Sequence, residues 1–174
     1  MPDAALDPTD FELLRLLQND ALVPVKALAA AVGLAPSSVH ERLKRLRDAG
    51  ALRAAHAEVD AKALGIGIEA LLMIELAKHE RATVDRFLDE VVTIPEVRSA
   101  FLVTGRHDLV VHVVARDMAH LKDLALDQFT SRHGVTRIET AIIFEARRRQ
   151  ELPCYRETAK DAARSRHRKR ALRR

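Results

Sequence analysis

Ser37, Ser38, His40, Glu41, Arg42, Lys44 and Arg45 fall within nine residues, interleaved with Val39 and Leu43. These types suit a polyanion: cations neutralise phosphates, and short hydroxyls near a helix start reach phosphates or base edges. Val39, Leu43 and Leu46 recur at i, i+4, i+7, which predicts a helix with one inward stripe. Ser37, Ser38, Glu41, Lys44 and Arg45 then point away from that stripe. From Pro36 to Arg53 there are five basic and two acidic residues, so a positive patch survives locally.

Three predicted helices position this patch. Asp7-Pro8-Thr9-Asp10 opens the first, with Asp7 as cap and Pro8 at the first helical position. Phe11, Leu13, Leu14 and Leu17 form its apolar face, and it stops near Asn19-Asp20. A second helix covers about Val25 to Ala31 and is broken by Gly33-Leu34. The third runs from about Pro36 to Ala49, with Ser37 or Ser38 expected to cap it and Gly50 to stop it. Two helices around a glycine turn, the second one basic, describe a helix-turn-helix that lays its second helix in the major groove. A plain two-helix hairpin with a solvated basic face shares the spacing. The concentration of cations favours duplex DNA.

Residues that could do catalysis do not assemble. His107 and His112 are five apart, which predicts opposite faces of a strand and no shared metal ion. His40, His79, His120 and His133 stand without a second ligand at chelating spacing. The chain has no nucleophile elbow and no phosphate-cradling glycine loop. The single cysteine, Cys154, excludes an internal disulfide and reads as a small hydrophobe in a reducing cytoplasm. The expectation is a protein without catalytic residues, metal or cofactor.

The chain has 174 residues, 48% hydrophobic but only 3% aromatic, so its core must be aliphatic. No apolar run reaches membrane-spanning length, and Met1 to Asp10 is too polar for a signal peptide. Net charge is +4, yet Arg156 to Arg174 alone holds nine basic and two acidic residues. The rest of the chain is slightly acidic. Such a tail reads either as a nucleic-acid arm adding salt-sensitive affinity or as a solubilising extension. It lacks the aromatic residues that single-strand and RNA binders stack on.

Beyond Gly65-Ile66-Gly67, read as a hinge, the pattern changes. Ile68 to Ala77, Glu96 to Thr104, Leu109 to Ala115 and Val135 to Ala146 read as strands. Ala82 to Val92 and Asp117 to His133 read as helices, and Gly105-Arg106-His107-Asp108 as a turn. The order βαββαβ is ferredoxin-like, with both helices on one face of a four-stranded antiparallel sheet. Strands such as LVVHVVA are apolar on both faces, whereas two helices cover one face only. A second copy of the sheet is the simplest cover, which makes a homodimer the expected minimum.

The fold class is therefore α+β. It comprises an N-terminal winged-type helix-turn-helix (1–52), an extended linker (53–67), a βαββαβ domain (68–155) and a basic tail (156–174).

This combination resembles the Lrp/AsnC, or feast/famine, family of transcriptional regulators. Its opening D-x-x-D-x-x-I-L-x-x-L is matched by Asp7, Asp10, Leu13, Leu14 and Leu17. The helix-turn-helix pattern is matched by Leu28-Ala29, Val32-Gly33-Leu34, Val39, Arg42-Leu43, Arg45-Leu46, Gly50 and Leu52. Its V-T-G-x-x-D stands as Val103 to Asp108, and its last strand as Thr140 to Phe144. Ala35 departs from the usual capping Ser or Thr.

The resemblance implies a sequence-specific DNA-binding regulator, cytoplasmic and nucleoid-associated. It implies assembly beyond a homodimer, such as an octamer, and modulation by a small molecule of the amino-acid class. It places an effector site at Thr104, Gly105, Arg106, His107, Asp108 and Thr140. There Gly105 would allow close backbone approach, Asp108 would meet an ammonium and Arg106 a carboxylate. A plain hairpin turn is the competing reading of the same residues. An architectural DNA-coating protein is the competing function, and enzymes of related fold acting on tetrapyrroles are a more distant one.

Overall fold

The computed structural model describes residues 6–77, 81–132 and 134–155. His79, His133 and the basic tail, named above, lie outside them. The described residues divide into two compact units, one built from 6–57 with 148–155, the other from 58–147.

In the first unit, α1 (Pro8–Asn19), α2 (Val25–Val32) and α3 (Pro36–Asp48) close around Leu13, Leu28, Ala29, Val39, Leu43 and Leu46. Asp7 caps α1 as expected: its carboxylate accepts from the Asp10 amide at 2.9 Å, and the Asp10 carboxylate accepts from the Asp7 amide at 3.1 Å. This reciprocal box satisfies two amides that a helix start leaves without partners. Gly33 ends α2 at φ +69°, a left-handed conformation that glycine adopts without a steric penalty. The expected serine cap of α3 does not form. Ala35 occupies that position without a side-chain bond, and Pro36 starts the helix, its missing N–H costing nothing there. After α3 no strand forms among the described residues before Ile68.

Residues 148–155, which the sequence reading joins to the βαββαβ module, pack with the first unit instead. The Leu152 amide donates to Gln18 Oε1 at 2.8 Å, and Asn19 donates to Glu151 at 3.0 Å, both on the last turn of α1.

The second unit holds β1 (Ile68–Leu76), α4 (Arg81–Val91), β2 (Val97–Leu102), β3 (Leu109–Ala115), α5 (Met118–Leu124) and β4 (Val135–Ile143), after a short 3₁₀ turn at Ala61–Leu64. The strands form one antiparallel sheet in the order β2-β3-β1-β4. Asp117 caps α5 through the His120 amide, and the helix widens into a π-helical stretch over Ala125–Thr130 that brings Phe129 fully into the core.

Alternation along the strands separates two faces. Ala70, Leu72, Ile74, Leu109, Val111 and Val113 pack with Val84, Phe87, Val91, Leu121 and Leu124 from the helices. The other face carries half-buried Leu71, Met73, Val110 and Val114 together with Glu69, Glu75 and His112. The expectation of apolar residues on both faces holds here, with charged groups set among them.

Candidate nucleic-acid interface and effector site

On α3, Ser37, His40, Glu41, Lys44 and Arg45 are exposed and Ser38 is half-buried, while Val39, Leu43 and Leu46 anchor the helix. Ser38, Arg42 and Arg45 follow one another at i, i+4, i+7 and line one flank of the helix. The two arginines sit in different surroundings. Arg42 Nη1 donates to Asp7 at 2.6 Å and to Asp10 at 2.8 Å, with its side chain only 26% exposed. It ties α3 to the start of α1. Arg45 donates one Nη2 to Asp10 at 2.7 Å, yet its side chain is 55% exposed.

Asp10 itself is completely buried, an uncommon place for a carboxylate without cationic partners. Desolvation works against ionising Asp7. The hydrogen bond from Arg42, the amides of Asp10 and Thr9 and the Arg42 charge outweigh it, so its pKa falls below the usual value. The same bonds, to Asp7 and then Asp10, raise that of Arg42.

The second group forms at the β2–β3 turn. Arg106 Nη2 lies 3.0 Å from Glu139, and its Nε lies 3.6 Å from Glu75. His107 sits between the same carboxylates, Nδ1 3.6 Å from Glu75 and Nε2 3.6 Å from Glu139. Its Nδ1 is buried without a hydrogen-bond partner. Arg137 adds a further cation 2.9 Å from Glu139. Acids and bases thus alternate over one end of the sheet face that the helices leave uncovered.

Three of the expected effector residues take defined places in this setting. Asp108 does not face outward from the turn: its carboxylate accepts from the Leu76 amide at 2.7 Å, and its own amide donates to Ile74 at 2.9 Å. Gly105 holds a φ of +123°, a conformation that favours glycine, and an added Cβ would meet no atom of the chain within 4 Å, so the space beside it is open. Thr140 pairs with Leu72 and shares its helix-covered side, away from Arg106 and His107, while exposed Thr104 stays in the turn.

His107 and His112 are also not on opposite faces. Alternation starts only at Leu109, so the turn breaks the count, and both reach the uncovered face, His112 at 2.9 Å from Glu69. Glu69 and Glu75 stand six residues apart on β1, roughly 20 Å, which keeps the two imidazoles from sharing an ion. Among the described residues no group of three or more His, Cys, Asp or Glu could hold a metal ion.

Glu75 and Glu139 escaped the sequence reading. A signal was present for Glu75, an acid in the otherwise apolar run of β1, but not for Glu139, which stands among Thr136, Arg137 and Thr140 on β4. A broad open groove of about 1660 Å³ in the first unit, lined by Phe11, Leu14, Leu17, Leu52 and Leu152 among others, contains none of the predicted site residues.

A three-helix helix-turn-helix unit followed by a βαββαβ sheet is the domain arrangement of transcriptional regulators that carry a ligand-binding domain. The family comparisons agree: the AsnC-type helix-turn-helix domain matches residues 6–47 and the Lrp/AsnC ligand binding domain matches residues 69–152. The chain belongs to the Lrp/AsnC family. It is 33% identical over 140 residues to the HTH-type transcriptional regulator AldR of Mycolicibacterium smegmatis, covering 80% of this chain and 82% of AldR. It is 33% identical over 144 residues to the transcriptional regulator AzlB of Bacillus subtilis, covering 83% and 92%. Among solved structures, a transcriptional regulator from Neisseria meningitidis in complex with L-methionine has a TM-score of 0.79 at 31% identity, covering 85% of this chain and 96% of that one.

Proposed function

We propose that this regulator reads duplex DNA sequence-specifically through Ser37, Ser38, His40, Glu41, Lys44 and Arg45, with Arg42 as the brace of the reading helix. A small amino acid or related zwitterion modulates its assembly or DNA affinity by binding at Arg106, His107, Glu75 and Glu139. One observation carries the effector reading: the Arg106 guanidinium and the His107 imidazole lie within 3.6 Å of the Glu75 and Glu139 carboxylates on a sheet face that the helices leave uncovered. An α-amino acid presents one group for each. The L-methionine held by the Neisseria relative supports that ligand class.

The half-buried apolar residues of the same face support a homodimer formed through it, on which larger assemblies such as an octamer are built. Work on DNA implies a cytoplasmic, nucleoid-associated protein. Among the described residues no helix is long and apolar enough to cross a membrane.

A thermal-shift screen of the twenty amino acids tests the effector, since a ligand that binds only the folded state raises the midpoint with occupancy. No shift from any of them rejects the proposed class. The nine basic residues from Arg156 to Arg174 favour a second reading, an architectural protein that coats DNA. Footprinting separates the two. A regulator protects discrete sites, and a coating protein protects all DNA alike. Truncation after Tyr155 should flatten the salt dependence of affinity while site preference persists.

A further inference from the structure

The two oxygens of Asp10 accept from different arginines, Oδ1 from Arg42 and Oδ2 from Arg45, with Oδ2 also taking the Asp7 amide of the capping box. Arg42 already holds a second carboxylate in Asp7, so its place is secured twice. Arg45 is different. It is the more exposed of the pair, on the same flank of α3 as Ser38, and among the described residues Asp10 is its one hydrogen-bonded carboxylate.

A long arginine in solvent samples many rotamers, and it loses that freedom when it must order on binding. A buried carboxylate that grips one nitrogen removes much of that freedom in advance. It also neutralises part of the charge, which lowers attraction to phosphates of any sequence while the remaining donors stay available to a base edge. We propose that Asp10 is a positioning residue for DNA recognition: it orients the Arg45 guanidinium so that Arg45 discriminates between sequences instead of merely adding positive charge. The inference rests on α3 as the reading helix.

The alternative direction of service is that Arg45 only compensates the buried charge of Asp10. The two readings predict different DNA behaviour. Two duplexes serve as probes: one enriched by the wild-type protein from a random-sequence pool, and a scrambled duplex of equal length and composition. Asp10→Asn in the full chain frees Arg45 and unmasks its charge. Affinity for the scrambled duplex should hold or rise, and the slope of log affinity against log salt should steepen by up to about one. The ratio of selected to scrambled affinity should fall by about tenfold. A structural role alone would lower both affinities together, in step with the folded fraction, and would overturn the proposal.

Arg45→Lys provides a second arm that leaves the Asp10–Arg42 pair in place, and it decides the matter if Asp10→Asn does not fold. Lysine keeps the charge but lacks the planar fork. Scrambled affinity should stay near wild type while the ratio drops by about tenfold. An unchanged ratio rejects the role of Arg45, and with it that of Asp10. Lys44→Ala guards the premise. If neither Lys44→Ala nor any of these changes alters DNA binding, α3 is not the reading helix. If Lys44→Ala weakens binding while Asp10→Asn and Arg45→Lys leave the ratio intact, only the positioning role fails.

Discussion

The Asp108 carboxylate accepts a hydrogen bond from the Leu76 amide at 2.7 Å, joining the end of the β2–β3 turn to the last residue of β1. Pairing of β1 with β3 ends at Ile74 and Leu109, and β1 breaks register with β4 between Glu75 and Leu76. Asp108 therefore serves an amide that the sheet ladder no longer reaches. Asp108→Ala should destabilise the protein by about 1–3 kcal/mol, the cost of an orphaned partly buried donor. Denaturant unfolding monitored by circular dichroism measures it. Unchanged stability with a lost ligand response would return Asp108 to the effector site.

Arg42 and Lys44 should separate folding from DNA contact. Arg42→Ala leaves Asp10 fully buried with Arg45 as its remaining cation and should cost about 1–3 kcal/mol of stability. Lys44→Ala removes an exposed cation and should leave stability within about 0.5 kcal/mol. Gel-shift titration at several salt concentrations should show weaker binding for Lys44→Ala with a slope reduced by about one. After correction for folded fraction, Arg42→Ala should bind with much less change than its stability loss suggests.

The capping box makes acid stability depend on Asp7. Its folded pKa lies below its unfolded value of 3.8, so ionised Asp7 stabilises the fold fully above that value. The contribution disappears as pH falls through the folded pKa, because the protonated acid no longer attracts Arg42. Asp7→Asn should lower stability at neutral pH and flatten the acid limb below about pH 4. Urea midpoints collected between about pH 6 and pH 2 check this. An acid limb as steep as that of wild type would assign it to other carboxylates.

Local rules made much of this architecture legible. The i, i+4, i+7 stripe of Val39, Leu43 and Leu46 located the reading helix, and all three are buried. Period-two apolar runs located the strands, with ends trimmed by a few residues. What stayed hidden depends on contacts distant in sequence. Arg42 lies near enough to the core stripe to brace the first helix, but the carboxylates it meets could not be read from spacing because they lie over thirty residues earlier, at a helix start whose cap was legible. Glu75 and Glu139 looked like strand residues until sheet pairing carried them to the Arg106–His107 turn. Residues 148–155 carry no motif that would announce their return to Gln18 and Asn19.

The charged end of the open sheet face yields the final prediction. Arg106 is 61% exposed and bridges Glu75 and Glu139, and exposed ion pairs contribute little to stability. Arg106→Ala should therefore leave the unfolding midpoint and the DNA affinity of the unliganded protein almost unchanged. It should still weaken the amino acid found in the thermal-shift screen by about 10- to 100-fold, the loss of one charge-assisted hydrogen bond. Glu139→Gln tests the opposite charge: it keeps the shape, removes the partner of a ligand ammonium and should weaken the same amino acid comparably. A ligand affects DNA binding only through different affinities for two assembly or DNA-bound states, so each variant should lose ligand-induced changes in light scattering and gel shift together. If both variants bind the ligand like wild type, these residues form a surface ion-pair network and the effector binds elsewhere.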